Sequence, residues 1–130
     1  MVDEEALEYY KKIEMNNEEL IKNIYMTVIE DGITQYKDMY ESEGVSEPTT
    51  DYGKCVSELY HLFNEKQKDM FMVILKQIMI DTISHVFGLL DGCTSLYGGG
   101  YVEAEIKING LSTEEELQDT FLRFIEENPN

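Results

Sequence analysis

The sequence has little positive charge: 10 Lys and Arg residues stand against 27 Asp and Glu residues, which gives a formal net charge of −17 at pH 7. A protein with this charge repels the phosphates of nucleic acids at long range. The same charge opposes binding to anionic lipid surfaces. We therefore expect no direct binding to DNA or RNA and no binding to membranes.

Cysteine is also scarce. The two cysteines, Cys55 and Cys93, have neither the spacing of a metal site nor a secretory context, which predicts a reduced pair in the cytosol. The first residues, Met1-Val2-Asp3-Glu4-Glu5, are acidic where a signal or transit peptide is basic. Both features favour a cytoplasmic location.

No recognisable catalytic signature occurs in the chain. The run Gly98-Gly99-Gly100 is not followed by Lys and Ser or Thr, so it resembles a flexible turn more than a phosphate-binding loop. Neither Ser95 nor the two cysteines stand in a nucleophile motif. The sequence therefore predicts no cofactor and no metal centre.

Apolar residues are plentiful, at 42% of the chain, and include nine Tyr, five Phe and seven Met. This composition predicts a folded core, and a length of 130 residues predicts one domain over residues 1–130. Apolar spacing of three and four residues predicts a mainly α fold (α+β) with about five helices, over residues 4–15, 17–41, 50–63, 65–90 and 113–127. Capping-box pairs at Asn16/Glu19, Asn64/Gln67 and Ser112/Glu115 mark three of the helix starts.

The helix at 65–90 is apolar on nearly every side between Met70 and Leu90, which predicts that the other helices pack around it. Lys76, Gln77, Asp81 and His85 interrupt the apolar stretch and favour a soluble core helix over a membrane span. Asp91-Gly92 should end this helix, because Gly adopts the left-handed C-terminal conformation without a steric cost.

A short hairpin should follow, near residues 94–108. From Tyr101 to Ile108 apolar and charged residues alternate, which is the period of a half-buried strand. Thr94 to Tyr97 is the candidate partner strand across the glycine run. An isolated hairpin is only marginally stable in water, so its apolar face should lie on the helices.

One polar stripe runs along the predicted central helix, through Gln77, Asp81, Ser84 and Gly88, with His85 beside it. Asp81 and His85, four residues apart, could bind a metal ion or act as an oriented acid and base. The alternative is structural: the stripe faces solvent, or the two residues form a satisfied polar pair.

The acidic residues are the second candidate site. A charge of −17 exceeds the magnitude of roughly 2–8 that solubility requires of a small domain, and a basic partner would relieve the self-repulsion. Tyrosine is favoured at interfaces, so exposed tyrosines would serve as anchors. The predicted binding residues are Glu4, Glu5, Glu8, Glu114, Glu115, Glu116, Tyr9, Tyr36 and Tyr40.

The segment Asp81 to Gly92, with the short hairpin and the capped helix after it, resembles uncharacterised small acidic proteins of bacteria and phages. This resemblance covers the C-terminal third of the chain and implies a bacterial or phage origin. In type, the chain is also similar to immunity proteins and phage inhibitors, which are often small, acidic and cytoplasmic.

Three functions remain open at this point. The first is a binding protein of the inhibitor or immunity type that engages a basic surface of a partner protein. The second is a small metal-dependent or acid/base enzyme that uses Asp81 and His85. The third is a homodimeric structural protein whose interface is the apolar helix or the edge of the hairpin.

Overall fold

The computed structural model describes residues 15–43 and 50–129. Its elements are α1 (Asn17–Ile24), a π-helical segment (Tyr25–Glu30), α2 (Asp31–Glu43), α3 (Asp51–Tyr60), α4 (Glu65–Leu90), β1 (Lys107–Ile108), β2 (Leu111–Ser112) and α5 (Leu117–Glu127). The predicted mainly helical fold with one short antiparallel hairpin is confirmed. The helix predicted over 4–15 lies outside the described residues.

Two helix starts are capped as the sequence predicts. The main-chain N–H of Glu19 donates to Asn16 Oδ1 at 2.9 Å. Asn64 and Gln67 form a reciprocal box, in which each main-chain N–H donates to the other side chain, at 2.8 and 3.0 Å. These contacts are local in sequence, and they fix where α1 and α4 begin.

The chain divides into two compact units. The terminal unit contains the described residues up to Lys22 and from Ser84 onward, and the middle unit contains the described residues of Asn23–Ile83. The single domain expected from the chain length stays a prediction.

The core of the middle unit is aromatic. Tyr40 and Tyr60 are 5% and 2% exposed, and their ring centroids lie 5.5 Å apart. Phe63 and Phe71 pack beside them with centroids 5.7 Å apart. Tilted ring pairs at these distances add stability beyond the burial of apolar area. The remaining members of this cluster are Val56, Met72, Ile33, Met39 and Leu75.

The helix continues through Gly32, although a glycine inside a helix costs about 1 kcal/mol relative to alanine. Its irregularity lies one turn earlier, in the π-helical segment, where the N–H of Asp31 donates to Met26 O. A Cβ at Gly32 would lie 3.1 Å from Met79 Cε. The glycine thus leaves room for the close approach of the Met79 side chain of α4.

The expectation that other helices enclose α4 is wrong. Only 17% of its most apolar 18-residue window is buried. Among the described residues of α4, Met72 and Ile80 are buried, whereas Val73, Ile74 and Ile78 are each more than half exposed. Within the described residues α4 is the one helix long and apolar enough to span a membrane, a criterion that core helices of soluble proteins also meet.

The terminal unit forms around Phe87 of α4 and Phe121 of α5, whose ring centroids lie 5.6 Å apart. Ile21 and Leu117 are also buried in this unit, at 0% and 3% exposed. Gly92, two residues after the end of α4, has a φ of +77°, as predicted. The chain therefore leaves α4 through the expected left-handed turn.

The hairpin lies further along the chain than expected. Lys107 pairs with Ser112 and Ile108 with Leu111, around a turn at Asn109-Gly110 with φ values of 49° and 89°. Positive φ at both central residues is typical of the type I′ turn, which suits the twist of paired strands. Exposure alternates over residues 101–108 as predicted, although only 107–108 pair as a strand.

The capping box predicted at Ser112 and Glu115 is wrong. Ser112 belongs to β2, and its Oγ accepts from the N–H of Glu114 at 3.1 Å. Glu115 has a φ of 56°, outside the helical region, so α5 begins only at Leu117. The hairpin takes the residues that would have opened the helix.

Candidate functional site

Two adjoining clefts of the terminal unit are lined by five of its eleven described acidic side chains. The α1–α5 cleft has a volume of about 480 Å³ and is lined by Asn16, Glu18, Glu19, Ile21, Lys22, Thr120, Arg123, Phe124 and Glu127. The loop cleft has a volume of about 330 Å³ and is lined by Asn16, Asn17, Glu18, Leu111, Ser112, Glu114, Glu116, Thr120 and Arg123. Glu18 and Arg123 line both.

The carboxylates meet here because the start of α1 is tied to the loop before α5. Asn17 Nδ2 donates to the carbonyl oxygen of Thr113 at 2.8 Å, and Thr113 is 2% exposed. Glu18 and Glu19 occupy the first turn of α1, where the helix dipole favours negative charge. A contact over 96 residues of sequence thus places two acidic segments side by side.

The loop that supplies Glu114 and Glu116 has a strained backbone. Glu114 and its neighbour Glu115 have φ values of 54° and 56°, in the left-handed region that residues with a Cβ rarely occupy. Each such residue costs on the order of 1–3 kcal/mol and persists only where the surroundings enforce it. Strain of this kind concentrates at binding and active sites, which makes this loop a candidate for function.

Both clefts are lined by carboxylates, and the α1–α5 cleft also presents apolar surface. Five carboxylates and two cations line them, which is a net charge of −3 (2 − 5). The ion pair of Arg123 with Glu18, at 3.7 Å, is largely exposed and therefore weak. Ile21 and Phe124 supply the buried and half-buried apolar surface of the α1–α5 cleft.

Sequence reasoning found part of this site. Glu114 and Glu116 line the loop cleft, and Glu115 lines a smaller neighbouring cleft of about 190 Å³. The predicted residues Glu4, Glu5, Glu8 and Tyr9 lie outside the described residues. The missed residues are Glu18, Glu19 and Glu127. The capping box at Asn16 indicates that Glu18 and Glu19 lie exposed at the start of a helix. No local sequence pattern indicates that Glu127 lies beside α1.

The prediction that Tyr40 is an exposed anchor is wrong. Tyr40 is 5% exposed, and its hydroxyl shares a hydrogen bond of 2.8 Å with the hydroxyl of Tyr52. Four aromatic rings surround it, so burying the Tyr40 ring is more favourable than exposing it. Tyr36 is 37% exposed and lines a cleft of about 530 Å³ in the middle unit.

The predicted polar stripe on α4 is not one continuous exposed face. Ser84 and Gly88 are buried, while Asp81 and His85 are exposed. Asp81 Oδ1 accepts a hydrogen bond from Gln77 Nε2 at 2.8 Å. Over residues 15–43 and 50–129, no group of three or more His, Cys, Asp or Glu side chains is arranged to hold a metal ion. The acid/base function of Asp81 and His85 stays a prediction.

The middle unit holds an apolar pocket of about 160 Å³ beside its aromatic core. Tyr60 lines this pocket. Its burial and its hydrogen bond to Glu41 raise the pKa of Tyr60 to about 12. The Tyr60 hydroxyl donates that bond at 2.9 Å, and Lys68 lies 5.1 Å from the Tyr60 ring centroid. These polar groups satisfy one another, so the pocket presents mainly apolar surface.

Comparison with protein-family models, curated proteins and solved structures finds no match for this chain.

Proposed function

We propose that this protein is a non-enzymatic, cytoplasmic binding protein of the inhibitor or immunity type, whose terminal unit engages a basic surface of a partner protein. One observation carries the proposal. Carboxylates from α1, from the loop before α5 and from α5 itself line two adjoining clefts, and Ile21 and Phe124 add apolar surface to the α1–α5 cleft.

The clefts suit lysine and arginine side chains. These side chains have an apolar stem and a charged head, so the stem packs on apolar surface while the head stays among polar groups. Ile21 and Phe124 would contact the stem in the α1–α5 cleft, and Glu19 and Glu127 would bind the head. In the loop cleft, Leu111 and Glu114 would have the corresponding roles.

The net charge of −17 would act at longer range. Complementary charge accelerates the encounter of two proteins and disfavours partners of the wrong sign. Exposed charges separated by more than about 8 Å are largely screened at physiological salt, so the complex should form more slowly and bind more weakly as salt is added.

The experiment compares two triple variants of equal net charge. The cleft variant replaces Glu19, Glu114 and Glu127 with Gln, and the control replaces the exposed residues Glu58, Glu103 and Glu126 with Gln. Each variant has a formal net charge of −14 (−17 + 3). The probes are immobilised oligolysine and oligoarginine peptides and, from a lysate of the source cell, any basic protein that the wild type retains.

We expect the cleft variant to lose about tenfold or more in affinity for these probes, a loss of about 1.4 kcal/mol in binding free energy. The control should lose much less. Equal losses in the two variants would show that only net charge matters and would exclude the clefts as the binding site. Binding that is unchanged by salt would exclude charge as its basis.

A further inference from the structure

The apolar pocket of the middle unit, with a volume of about 160 Å³, is lined by aromatic rings from α2, α3, the turn after α3 and α4. These rings are those of Tyr40, Tyr52, Tyr60, Phe63 and Phe71. We call this space the aromatic pocket. Each ring lies 5.5 to 6.4 Å from at least one of the others, centroid to centroid, in a tilted or edge-to-face arrangement. Rings packed in this way hold one another in place, so the pocket is formed before a ligand binds.

The lining of the aromatic pocket includes both buried and exposed residues. Tyr40 and Tyr60 are 5% and 2% exposed, whereas Tyr52 and Leu59 are 51% and 52% exposed. Cys55 also lines the pocket, and it is exposed. A small molecule can therefore enter from solvent beside the exposed residues and still contact buried rings.

The hydroxyl groups of the lining tyrosines already have hydrogen-bond partners. The hydroxyls of Tyr40 and Tyr52 share a hydrogen bond of 2.8 Å, and the Tyr60 hydroxyl donates to Glu41 at 2.9 Å. A polar ligand group buried against this lining would lose its hydrogen bonds to water without full replacement, which costs free energy. The part of a ligand that enters the pocket should therefore be apolar.

The charges near the pocket disfavour an anionic ligand. The Nζ atom of Lys68 lies 5.1 Å from the Tyr60 ring centroid and is paired with Glu41 and Glu65, each at 3.6 Å. The net charge of −17 adds repulsion at long range. We therefore expect an uncharged ligand.

We propose that the aromatic pocket binds a free, uncharged molecule that contains one aromatic ring. A cavity of about 150 Å³ lined by apolar side chains holds benzene, and the aromatic pocket, at about 160 Å³, has room for one such ring. The surrounding rings offer edge and face contacts to an aromatic ligand. These contacts add about two- to tenfold in affinity over a saturated ring of the same size. A polar substituent of the ligand would stay in water beside the exposed lining residues.

The residues around the pocket favour a free molecule over a side chain of a partner protein. Asp51, Lys54 and Glu58 are exposed, and each is next in sequence to a residue that lines the pocket. A protein seated here would have to cover these charges, which are depleted from the cores of protein interfaces. The pocket lies in the middle unit, whereas the proposed basic partner binds the terminal unit, so either proposal can fail without the other.

Alkylation of the full chain by iodoacetamide tests binding, with phenol as the probe. Cys55 lines the pocket, and Cys93 lies in the terminal unit and is the internal control, since both cysteines are exposed. At an expected Kd of about 1 mM, phenol at about 10 mM should slow the alkylation of Cys55 about fivefold or more. The alkylation of Cys93 should not change. An unchanged rate at Cys55, or equal slowing at both cysteines, overturns the proposal. Peptide mass spectrometry measures the two rates separately.

Three further probes, each differing from phenol in one feature, test the class of ligand in the same measurement. Cyclohexanol has a saturated ring and should need a concentration about threefold or more higher for the same protection of Cys55. Benzoate is charged and should give no protection up to about 10 mM. Protection by either compound equal to that by phenol overturns the proposed class. N-acetylphenylalaninamide attaches the ring to a peptide backbone. Protection by this compound at a lower concentration than phenol would assign the pocket to a side chain of a partner protein and would overturn the proposal of a free molecule.

Filling the pocket with a ring of the chain itself tests the location of the site. Cys55→Phe places a phenyl ring in the lining and should weaken the binding of labelled phenol about tenfold in equilibrium dialysis. Cys93→Phe is the matched control, because it makes the same substitution at the other exposed cysteine and should bind phenol as the wild type does. Circular dichroism shows whether both variants fold, and the alkylation of the wild type depends on neither. Equal binding of phenol by a folded Cys55→Phe variant and the wild type overturns the proposal.

Discussion

Asp91, just after the end of α4, caps the first turn of α5. Its Oδ2 accepts a hydrogen bond from the main-chain N–H of Gln118 at 2.7 Å, and the Asp91 residue is 5% exposed. The residue at the N-cap position itself, Glu116, makes no side-chain capping bond. A carboxylate from 27 residues away thus satisfies an N–H group that the local sequence leaves open.

Removing this carboxylate should destabilise the terminal unit. Asp91→Ala leaves the Gln118 N–H unsatisfied and removes a negative charge from the positive end of the α5 dipole. We expect a loss of about 1–3 kcal/mol in the free energy of unfolding. Asp91→Asn keeps an acceptor oxygen and should lose less stability than Asp91→Ala. Urea denaturation followed by circular dichroism measures both.

Ser112→Ala is the control for this prediction, because the sequence suggested Ser112 as the cap of α5. The Ser112 hydroxyl is exposed and bonds only within its loop among the described residues, so its removal should cost less than about 0.5 kcal/mol. A larger loss in Ser112→Ala than in Asp91→Ala would contradict the observed cap.

Alanine should have opposite effects at two helical glycines. A Cβ at Gly88 would come within 2.6 Å of Gln118 Nε2 and would also overlap Thr94 Oγ1. Gln118 Nε2 donates to Ser84 O at 3.0 Å, so Gly88→Ala must disrupt a partly buried contact and should destabilise the protein by about 1–3 kcal/mol.

Gly32→Ala should be neutral or stabilising. The nearest atom to its Cβ would be the terminal methyl of Met79, which moves easily, and alanine favours the helix by about 1 kcal/mol over glycine. Thermal unfolding of the two alanine variants beside the wild type measures both effects. A lower melting temperature for Gly32→Ala than for Gly88→Ala would contradict this account.

Local features of the structure were predictable from the sequence. The caps at Asn16 and Asn64 use residues three positions away, and the glycine at the end of α4 acts on its own backbone. The position of the hairpin was also encoded locally, because Asn109-Gly110 is a typical type I′ turn pair. The interpretation that placed the turn at Gly98–Gly100 passed over this signal.

Non-local features were not predictable. An apolar pattern on α4 shows that the helix favours burial, but not how many neighbours the fold supplies. Among the described residues, Val73, Ile74 and Ile78 of α4 stay more than half exposed. The same limit applies to the candidate site. Glu114 and Glu116 stood out as an acidic run, whereas Glu127 lines the α1–α5 cleft only because α1 and α5 meet.

Glu30 should make the stability of the middle unit depend on pH in acid. Hydrogen bonds from Tyr25 and Lys76, at 2.7 and 3.0 Å, hold the pKa of Glu30 below its ordinary value of 4.5. A lowered pKa in the folded state stabilises the protein above pH 4.5, and this contribution is lost as the pH falls through the folded pKa.

Glu30→Gln should therefore be less stable than the wild type at neutral pH, and the difference should shrink in acid. Urea unfolding between about pH 3 and pH 7 measures it, over the range in which a carboxyl of ordinary pKa titrates. Glu58→Gln replaces an exposed carboxylate and should keep the acid dependence of the wild type. A constant difference between Glu30→Gln and wild type at every pH would contradict the lowered pKa.

Tyr60 should make the protein unstable in alkali. Its burial, together with its hydrogen bond to Glu41, raises its pKa from 10.0 to about 12. A raised pKa of a neutral acid means that the folded state favours the protonated phenol. The contribution of the neutral Tyr60 phenol to the free energy of unfolding is complete below pH 10 and is lost as the pH rises towards 12. It amounts to about 3 kcal/mol.

Tyr60→Phe removes the titrating group and the bond to Glu41 together. We expect it to be about 1 kcal/mol less stable than the wild type at pH 7, and to lose less stability between pH 10 and 12. Tyr97→Phe is the matched control, because Tyr97 is fully exposed and should leave the alkaline transition unchanged. Absorbance at the tyrosinate band follows ionisation, and circular dichroism follows unfolding. If Tyr60 ionises with the exposed tyrosines while the protein stays folded, the hydrogen bond to Glu41 does not hold its proton.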